Sequence, residues 1–101
     1  MARVLIVHDS ETTRSELAQA LSAEGFATAD AGSSSEAVRV LWDGSFDAVL
    51  FSEQLPNISG TSLEEHIRNL TPEVVTLAIT RDPPARIAKK LADILDGAVA
   101  A

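Results

Sequence analysis

Short apolar runs alternate along the chain with segments in which apolar residues recur at intervals of three or four. Continuous apolar runs are typical of strands buried on both faces, as in a parallel sheet, whereas the longer interval is typical of amphipathic helices. The pattern therefore predicts strands at residues 4–7, 26–29, 46–51 and 74–79, each followed by a helix. The second run is short and rich in alanine, so we expect it at the edge of the sheet.

Residues with strong capping preferences mark the ends of the helices. Ser10 suits the N-cap of the first helix, and Ser33 begins a capping box that leads into the second. Gly25 stands where a left-handed C-terminal cap is expected. Asp82 is predicted to cap the fourth helix, and Gly97 is predicted to end it. These boundaries give the order β-α-β-α-β-α-β-α, with a loop predicted at residues 53–59.

The apolar stripe on each helix predicts which side chains pack against the sheet. In the second helix, Ala37 and Leu41 form a stripe with Val38 and Trp42. We therefore expect Trp42, the single tryptophan, to pack between helix and sheet rather than to serve as a ligand platform. The stripe residues of the first and fourth helices are Leu17, Leu21, Ile87, Leu91 and Ile94.

The composition is that of one globular domain spanning residues 1–101. Of the 101 residues, 46% are hydrophobic and 23% are charged, which is ordinary for a globular domain. The chain has no cysteine, so disulfides and thiolate metal sites are not available. No apolar stretch approaches the ~20 residues of a membrane span, and the N-terminus lacks a signal-peptide pattern. We therefore expect a cytoplasmic location.

The charge balance argues against direct binding of nucleic acid. The net charge is −7, with 8 basic against 15 acidic residues, so the chain has too few basic residues for a broad basic surface. A cluster of four basic residues is formed by Arg81, Arg86, Lys89 and Lys90. We interpret it as the solvated face of a helix, and a docking patch for an acidic partner is the alternative.

The alternation of strands and helices locates the candidate site. It implies right-handed crossovers and a parallel sheet covered on both faces. In doubly wound sheets, ligands bind beyond the carboxyl ends of the strands. The residue pairs at these ends are His8-Asp9, Ser52-Glu53 and Thr80-Arg81.

Several segments match, in order and spacing, the sequence pattern of one known domain family, and the match covers nearly the whole chain. They are Arg3-Val4-Leu5-Ile6-Val7-His8-Asp9-Ser10, Glu24-Gly25-Phe26, Phe46-Asp47-Ala48-Val49-Leu50-Phe51-Ser52, Leu55-Pro56, Ser59-Gly60, Pro72 and Leu77-Ala78-Ile79-Thr80. In these segments the chain resembles the receiver domain of bacterial two-component response regulators. The resemblance implies an α/β, flavodoxin-like (CheY-like), doubly wound parallel sheet with strand order 2-1-3-4. A fifth strand would be vestigial, at residues 98–101, or missing, and the last helix would be missing.

The resemblance also implies that the phosphotransfer site is degenerate. The family's phosphoacceptor is an aspartate, and the matching position holds Ser52. The family's acidic pair matches His8 and Asp9, of which only Asp9 is a carboxylate, and Thr80 matches the switch hydroxyl. The lysine of the family's fifth strand has no counterpart. In the family, phosphotransfer also needs a magnesium ion, which prefers oxygen ligands that include carboxylates. Because a serine and a histidine replace two of the family's carboxylates here, we expect no metal and no cofactor.

Three functions remain open from the sequence. The favoured one is a phosphorylation-independent pseudo-receiver, not an enzyme, that acts through a protein partner or through self-association at its incomplete C-terminal edge. The alternative is a phosphorylatable receiver that uses Asp9, His8 and Ser52 or Glu53, or the regulatory domain of a longer transcriptional or signalling protein. Because successive strand residues point to opposite faces, Glu53 is expected to point away from Ser52. A small-ligand site is disfavoured, because the loops lack a glycine-rich phosphate cradle.

Overall fold

The computed structural model describes residues 2–55, 58–70 and 73–100. Some residues of the segments discussed above lie outside the described residues. They are Pro56 and Asn57 of the predicted loop, Pro72, and Ala101 of the predicted fifth strand. The elements, in chain order, are β1 (Arg3–Val7), α1 (Glu11–Ala23), β2 (Ala27–Ala31), α2 (Ser34–Asp43), β3 (Ala48–Phe51), β4 (Gln54–Leu55), β5 (Ile58–Ser59), α3 (Gly60–Leu70), β6 (Val75–Ala78) and α4 (Pro84–Ala100).

Four of the strands form one parallel sheet in the order β2-β1-β3-β6. This is the predicted order 2-1-3-4 when only the strands of that sheet are counted. The strand β2 lies at one edge, as its short alanine-rich run predicted, and β6 lies at the other. In the centre, Ile6 of β1 is in register with Leu50 of β3, which is in register with Leu77 of β6.

Two helices cover each face of the sheet. On one face, α1 and α4 bury a cluster that includes Leu17, Leu21 and Leu91 against Ile6 and Leu50 of the strands. On the other face, α2 and α3 pack against the opposite side chains of the same strands. That second cluster includes Leu5, Val7, Ala37, Leu41, Val49, Phe51, Leu63 and Ile67. The continuous apolar runs predicted strands with both faces buried, and this three-layer arrangement buries both.

The local capping signals are confirmed in the first half of the chain. The Ser10 hydroxyl accepts a hydrogen bond from the Thr13 amide at 3.3 Å, and the Ser33 hydroxyl accepts one from the Glu36 amide at 3.2 Å. Gly25 has a φ of 90°, so it supplies the left-handed residue at the end of α1. These signals act within one turn of chain, which is why the sequence alone reveals them.

The predicted boundaries of α4 are wrong at both ends. The Pro83 carbonyl accepts the first helical hydrogen bonds, from the amides of Arg86 and Ile87, so Asp82 lies one residue before the cap. At the other end, the helix continues through Gly97 to Ala100. Residues 98–100 are therefore helical, and the prediction of a vestigial fifth strand there is wrong. One glycine inside a helix costs only ~1 kcal/mol relative to alanine, which a long helix can absorb.

Two side chains predicted to be buried lie at the surface. Trp42 is 73% exposed and Ile94 is 37% exposed. The face of α2 that meets the sheet is set by Ala37 and Leu41, and Trp42 is rotated by about 100° from Leu41. Ile94 lies at the margin of the α4 stripe, whose buried members are Ile87, Ala88 and Leu91.

The segment after β3 was predicted to be a loop, but it contains a short antiparallel pair. Gln54 of β4 is in register with Ser59 of β5, and Leu55 is in register with Ile58. Strands of two residues carry no period that a sequence pattern could reveal. No helix in the described part of the chain is long and apolar enough to cross a membrane.

Candidate functional site

The carboxyl ends of β1, β3 and β6 meet at one edge of the sheet. The Ser52 amide donates to the Val7 carbonyl at 2.9 Å, and the Ile79 amide donates to the Phe51 carbonyl at 2.8 Å, which continues the ladder beyond the strands. A cleft of about 540 Å³ opens there. It is lined by His8, Thr13, Ser52, Glu53, Ile79, Thr80 and Arg81. The predicted convergence of these three strand ends is therefore confirmed, because parallel strands joined by helices bring their carboxyl ends to one edge.

His8 is held by the start of the helix that follows it. Its Nδ1 accepts a hydrogen bond from the Ser10 amide at 2.9 Å. In a neutral imidazole whose Nδ1 is an acceptor, the proton resides on Nε2. In the tautomer that keeps the Ser10 hydrogen bond, His8 offers a donor at Nε2 rather than the lone pair that a general base or a metal ligand requires.

Asp9 makes a second contact with the same imidazole. Its Oδ1 lies 3.1 Å from His8 Nδ1. An acceptor nitrogen cannot also donate to a carboxylate, so a hydrogen bond to Asp9 would require the imidazole proton to be on Nδ1 and the Ser10 hydrogen bond to be lost. Asp9 is not among the residues that line the cleft. The predicted pair His8-Asp9 is thus adjacent at the end of β1, but only His8 faces Ser52 and Thr80 across the cleft.

Ser52 and Glu53 both line the cleft. Ser52 is 8% exposed, whereas Glu53 is exposed to solvent. The expectation that Glu53 would point away from Ser52 is wrong, because β3 ends at Phe51 and the alternation of a strand no longer applies to the next two residues. The cleft therefore holds one carboxylate beside its hydroxyl groups.

Thr80 is engaged by the loop that follows it. Its hydroxyl donates to Asp82 Oδ2 at 2.9 Å and accepts from the Asp82 amide at 3.3 Å. This is a local turn closed by the side chain. The single hydroxyl proton of Thr80 is used inside the chain, so any ligand that accepts from it must displace Asp82.

The side chains at this edge do not fit the magnesium ion that the resemblance implies. Magnesium takes six oxygen ligands in near-octahedral geometry, usually with one or two protein carboxylates among them. The cleft offers a single carboxylate, from the exposed Glu53, because Asp9 is turned towards His8. The other polar side chains lining it are hydroxyl groups, an imidazole and the Arg81 guanidinium, whose positive charge opposes a cation. Within residues 2–55, 58–70 and 73–100, no group of three or more histidine, aspartate or glutamate side chains converges on a metal position.

Arg14 is a part of this edge to which the sequence pattern assigned no role. Its Nη1 donates to the His8 carbonyl at 2.7 Å, and its Nε donates to Asp30 Oδ2 at 2.9 Å. It thereby joins α1 to the carboxyl ends of β1 and β2. The available signal was an arginine in the first turn of a helix that follows a strand directly, with an acidic residue at the end of the neighbouring strand.

Comparisons with known proteins give a consistent result. The family model described as response regulator receiver domain matches residues 4–96. A receiver domain protein (CheY-like) from Methanospirillum hungatei has a TM-score of 0.85 at 22% identity, covering 96% of this chain and 95% of that one. That likeness supports the fold. A search of curated protein sequences finds no match.

Two further structures extend the comparison. Response regulator TrrA from Thermotoga maritima, in complex with Mg²⁺ and BeF, has a TM-score of 0.73 at 28% identity and covers 80% of this chain and 72% of that one. A receiver domain from Clostridium thermocellum has a TM-score of 0.74 at 25% identity and covers 77% of this chain. This chain spans 64% of the length of that protein.

Proposed function

The chain belongs to the response regulator receiver domain family, and we propose that it is a phosphorylation-independent pseudo-receiver, a signalling module that acts by binding proteins. The observation that carries this proposal is the donor set at the carboxyl edge of the sheet. Where phosphotransfer through an aspartate requires a nucleophilic carboxylate and a magnesium site, the edge presents the Ser52 hydroxyl and an imidazole whose Nδ1 is already bonded to Ser10. We propose that Ser52 stands at the acceptor position.

The chemistry of a serine at this position supports the proposal. A hydroxyl is a weak nucleophile unless an adjacent base removes its proton. The nearest candidate, His8, carries its proton on Nε2 when its Nδ1 accepts from Ser10. Activation would therefore require loss of that hydrogen bond and a change of tautomer. The Thr80 hydroxyl, bonded to Asp82, lends further support, because its position is fixed without a phosphoryl group.

Protein contacts are the mode of action that remains. The receiver domain of Saccharomyces cerevisiae Ssk1 is similar to this chain, with a TM-score of 0.70 at 24% identity over 80% of this chain and 64% of that one, and its structure was solved with the histidine phosphotransfer protein Ypd1. We propose that this chain, in the cytoplasm, likewise acts through a protein partner or as a dimer. The edge strand β6 is one candidate surface, because an edge strand can pair with another chain.

The proposal is tested with a phosphoryl analogue. Magnesium and beryllofluoride are added at millimolar concentration to the ¹⁵N-labelled chain, and the amide resonances of Ser52 and Thr80 are followed. We expect no shift. Thermotoga maritima TrrA, which was solved with this analogue, serves as the positive control. Saturable shifts at both amides would overturn the proposal and favour a receiver with a substituted site.

One observation favours that second candidate. Glu53 lines the cleft, so a carboxylate lies near Ser52 after all. If it served as the acceptor or as a metal ligand, Glu53→Gln would abolish any response to magnesium and beryllofluoride. An unresponsive wild-type chain makes this variant unnecessary and excludes the alternative at the same time.

A further inference from the structure

Trp42 is the most exposed large apolar side chain in the described part of the chain. It lies in the last turn of α2 and is 73% exposed. Single exposed apolar residues are common on protein surfaces and carry no meaning alone. Next to Trp42, however, the groove between α2 and α3 contains a cleft of about 180 Å³. Val38, one of its lining residues, lies one helical turn before Trp42, so the ring and the cleft are neighbouring features of one surface.

The cleft is lined by Ser34, Ser35, Val38, Leu63 and His66. Two of these side chains are aliphatic, and the other three carry a hydroxyl group or an imidazole. We call these five residues together with Trp42 and Asp43 the Trp42 surface. Val38, which lines the cleft, and Trp42 are four residues apart on α2, so their Cβ atoms are about 5–6 Å apart. This matches the spacing of residues i and i+4 on a partner helix.

The charges around Trp42 favour a cation. Asp43 is exposed at the carboxyl end of α2, where the helix dipole is negative, and the last turn of α2 contains no basic residue. Arg39 lies one turn before Trp42, but the cation–π contact found within the described residues joins Arg3 to Phe46 instead, at 4.7 Å. The indole face is therefore open to a cation from outside. The net charge of −7 attracts the same class of partner.

We propose that the Trp42 surface binds a basic partner protein, through a segment that carries an apolar side chain and an arginine or lysine one helical turn apart. The apolar side chain occupies the cleft beside Val38, and the cation lies over the Trp42 ring and against Asp43. This inference rests on the proposed function, since it names the surface through which a protein-binding module would act. It does not involve the cleft at Ser52, which lies at the carboxyl edge of the sheet.

A second copy of the chain is a poorer occupant. In a two-fold symmetric contact both copies use the same patch. Each copy would therefore bring the negative Asp43 and the carboxyl end of α2 to the interface. Like charges in direct contact oppose association. A second copy could supply cations from α4, which carries Arg86, Lys89 and Lys90. That helix covers the opposite face of the sheet, so these residues would not meet Trp42 in a two-fold contact.

The test begins with a probe of random composition. A displayed library of random 16-residue peptides is selected on the wild-type chain and counter-selected on Trp42→Ala, and the enriched peptides are synthesised. We expect enrichment of sequences that combine arginine or lysine with leucine, isoleucine or phenylalanine at a spacing of three or four. Because Trp42 is the single tryptophan, its fluorescence reports binding of a tryptophan-free peptide directly.

The variants then give a graded result. Trp42→Ala is expected to weaken binding of the best peptide by at least about tenfold, as is common for a central aromatic anchor, and Trp42→Phe by less. Asp43→Asn is expected to weaken binding by a few-fold and to reduce its salt dependence. Ile94→Ala removes an exposed apolar side chain of α4, on the opposite face, and should leave affinity unchanged. Calorimetry measures the variants that lack the fluorophore, and circular dichroism confirms that they are folded.

Three results would overturn the inference. They are the absence of any enriched peptide, enrichment of acidic peptides, and equal affinity for wild type and Trp42→Ala. Concentration-dependent dimerisation that Trp42→Ala abolishes would assign the surface to a second copy and refute the basic partner. Failure here leaves the beryllofluoride result untouched, so it can be told apart from failure of the proposed function.

Discussion

The close approach of Gly32 to Arg14 allows a test by substitution. We expect Gly32→Ala to lower the free energy of unfolding when Arg14 is present and to raise it when Arg14 is replaced by alanine. A Cβ atom at Gly32 would lie 3.2 Å from Arg14 Nη1, closer than ordinary van der Waals contact. That guanidinium is not free to move, because it donates to the His8 carbonyl at 2.7 Å and to Asp30 at 2.9 Å. The φ of Gly32 lies outside the left-handed region, so alanine is not excluded there by backbone strain.

The magnitude follows from two opposing effects. Replacing glycine by alanine at a compatible backbone position stabilises by ~0.4–1 kcal/mol through the unfolded state. Overpacking against a fixed neighbour costs ~1–3 kcal/mol. We therefore expect Gly32→Ala to destabilise the wild-type chain by about 1 kcal/mol, and to stabilise the Arg14→Ala variant by about 0.5 kcal/mol. The coupling between the two positions is then about 1.5 kcal/mol, within the range seen for residues in contact.

Arg14→Ala alone has an expected cost of about 2 kcal/mol. Its hydrogen bond to the His8 carbonyl is charge-assisted and largely shielded, which is worth ~1.5–3 kcal/mol. Its ion pair with Asp30 adds little, because the Asp30 side chain is 57% exposed and such pairs contribute ~0–1 kcal/mol. Asp30→Asn should therefore cost much less than Arg14→Ala.

The assay is urea denaturation of the four members of the cycle, followed by far-ultraviolet circular dichroism. Gly25→Ala provides a matched control, because its added Cβ meets nothing within 4 Å and its cost arises from a φ of 90°. That cost, ~1–2 kcal/mol, should be the same with and without Arg14. If Gly32→Ala destabilises Arg14→Ala as much as it destabilises the wild type, the contact does not determine the effect and the reasoning is refuted.

Further predictions concern the core, the exposed tryptophan and the site. Leu50→Ala, at the buried centre of β3, should cost about 3 kcal/mol, and Leu41→Ala about 2–3 kcal/mol; a urea midpoint close to the wild-type value for either would contradict the two-faced core. Trp42→Ala should change the free energy of unfolding by less than about 0.5 kcal/mol. The emission maximum of Trp42 should shift little on unfolding, and a strongly blue-shifted maximum in the native state would show that the ring is buried. Ser52→Asp alone should not confer phosphorylation by acetyl phosphate with magnesium, because the metal ligands remain deficient; phosphoprotein detected by mass spectrometry would refute this.

Features that depend on residues close in sequence were predictable, whereas features that depend on packing between elements were not. The caps at Ser10 and Ser33 and the left-handed Gly25 depend on neighbours within one turn, and the sequence identified all three. The exposure of Trp42 depends on which of two overlapping stripes of α2 meets the sheet. That choice is made by the total apolar surface the helix can bury, which a single helical pattern does not determine.

The candidate site divides in the same way. The strand order that brings His8 and Ser52 to one edge was predictable, because parallel strands connected by helices place their carboxyl ends together. The orientation of Glu53 was not predictable, since it depends on β3 ending at Phe51 rather than one residue later. The role of Arg14 was not predictable from its own helix, since it depends on where the His8 carbonyl and the Asp30 side chain lie relative to α1.

The same hydrogen bonds that position the site residues also explain why this edge can persist without a ligand. A buried polar group that lacks a partner costs ~1–3 kcal/mol, so a ligand site built from such groups destabilises the free domain until it is filled. Here the Nδ1 of the half-buried His8 is bonded to Ser10, and the Thr80 hydroxyl, although exposed to solvent, is bonded to Asp82. In the described part of the chain, no buried side-chain nitrogen or oxygen lacks a hydrogen-bond partner. A phosphoryl group or a metal ion would have to compete with these internal partners before it gained any contact of its own. The polar groups of the edge are therefore satisfied within the fold, and this supports the proposed protein-binding role.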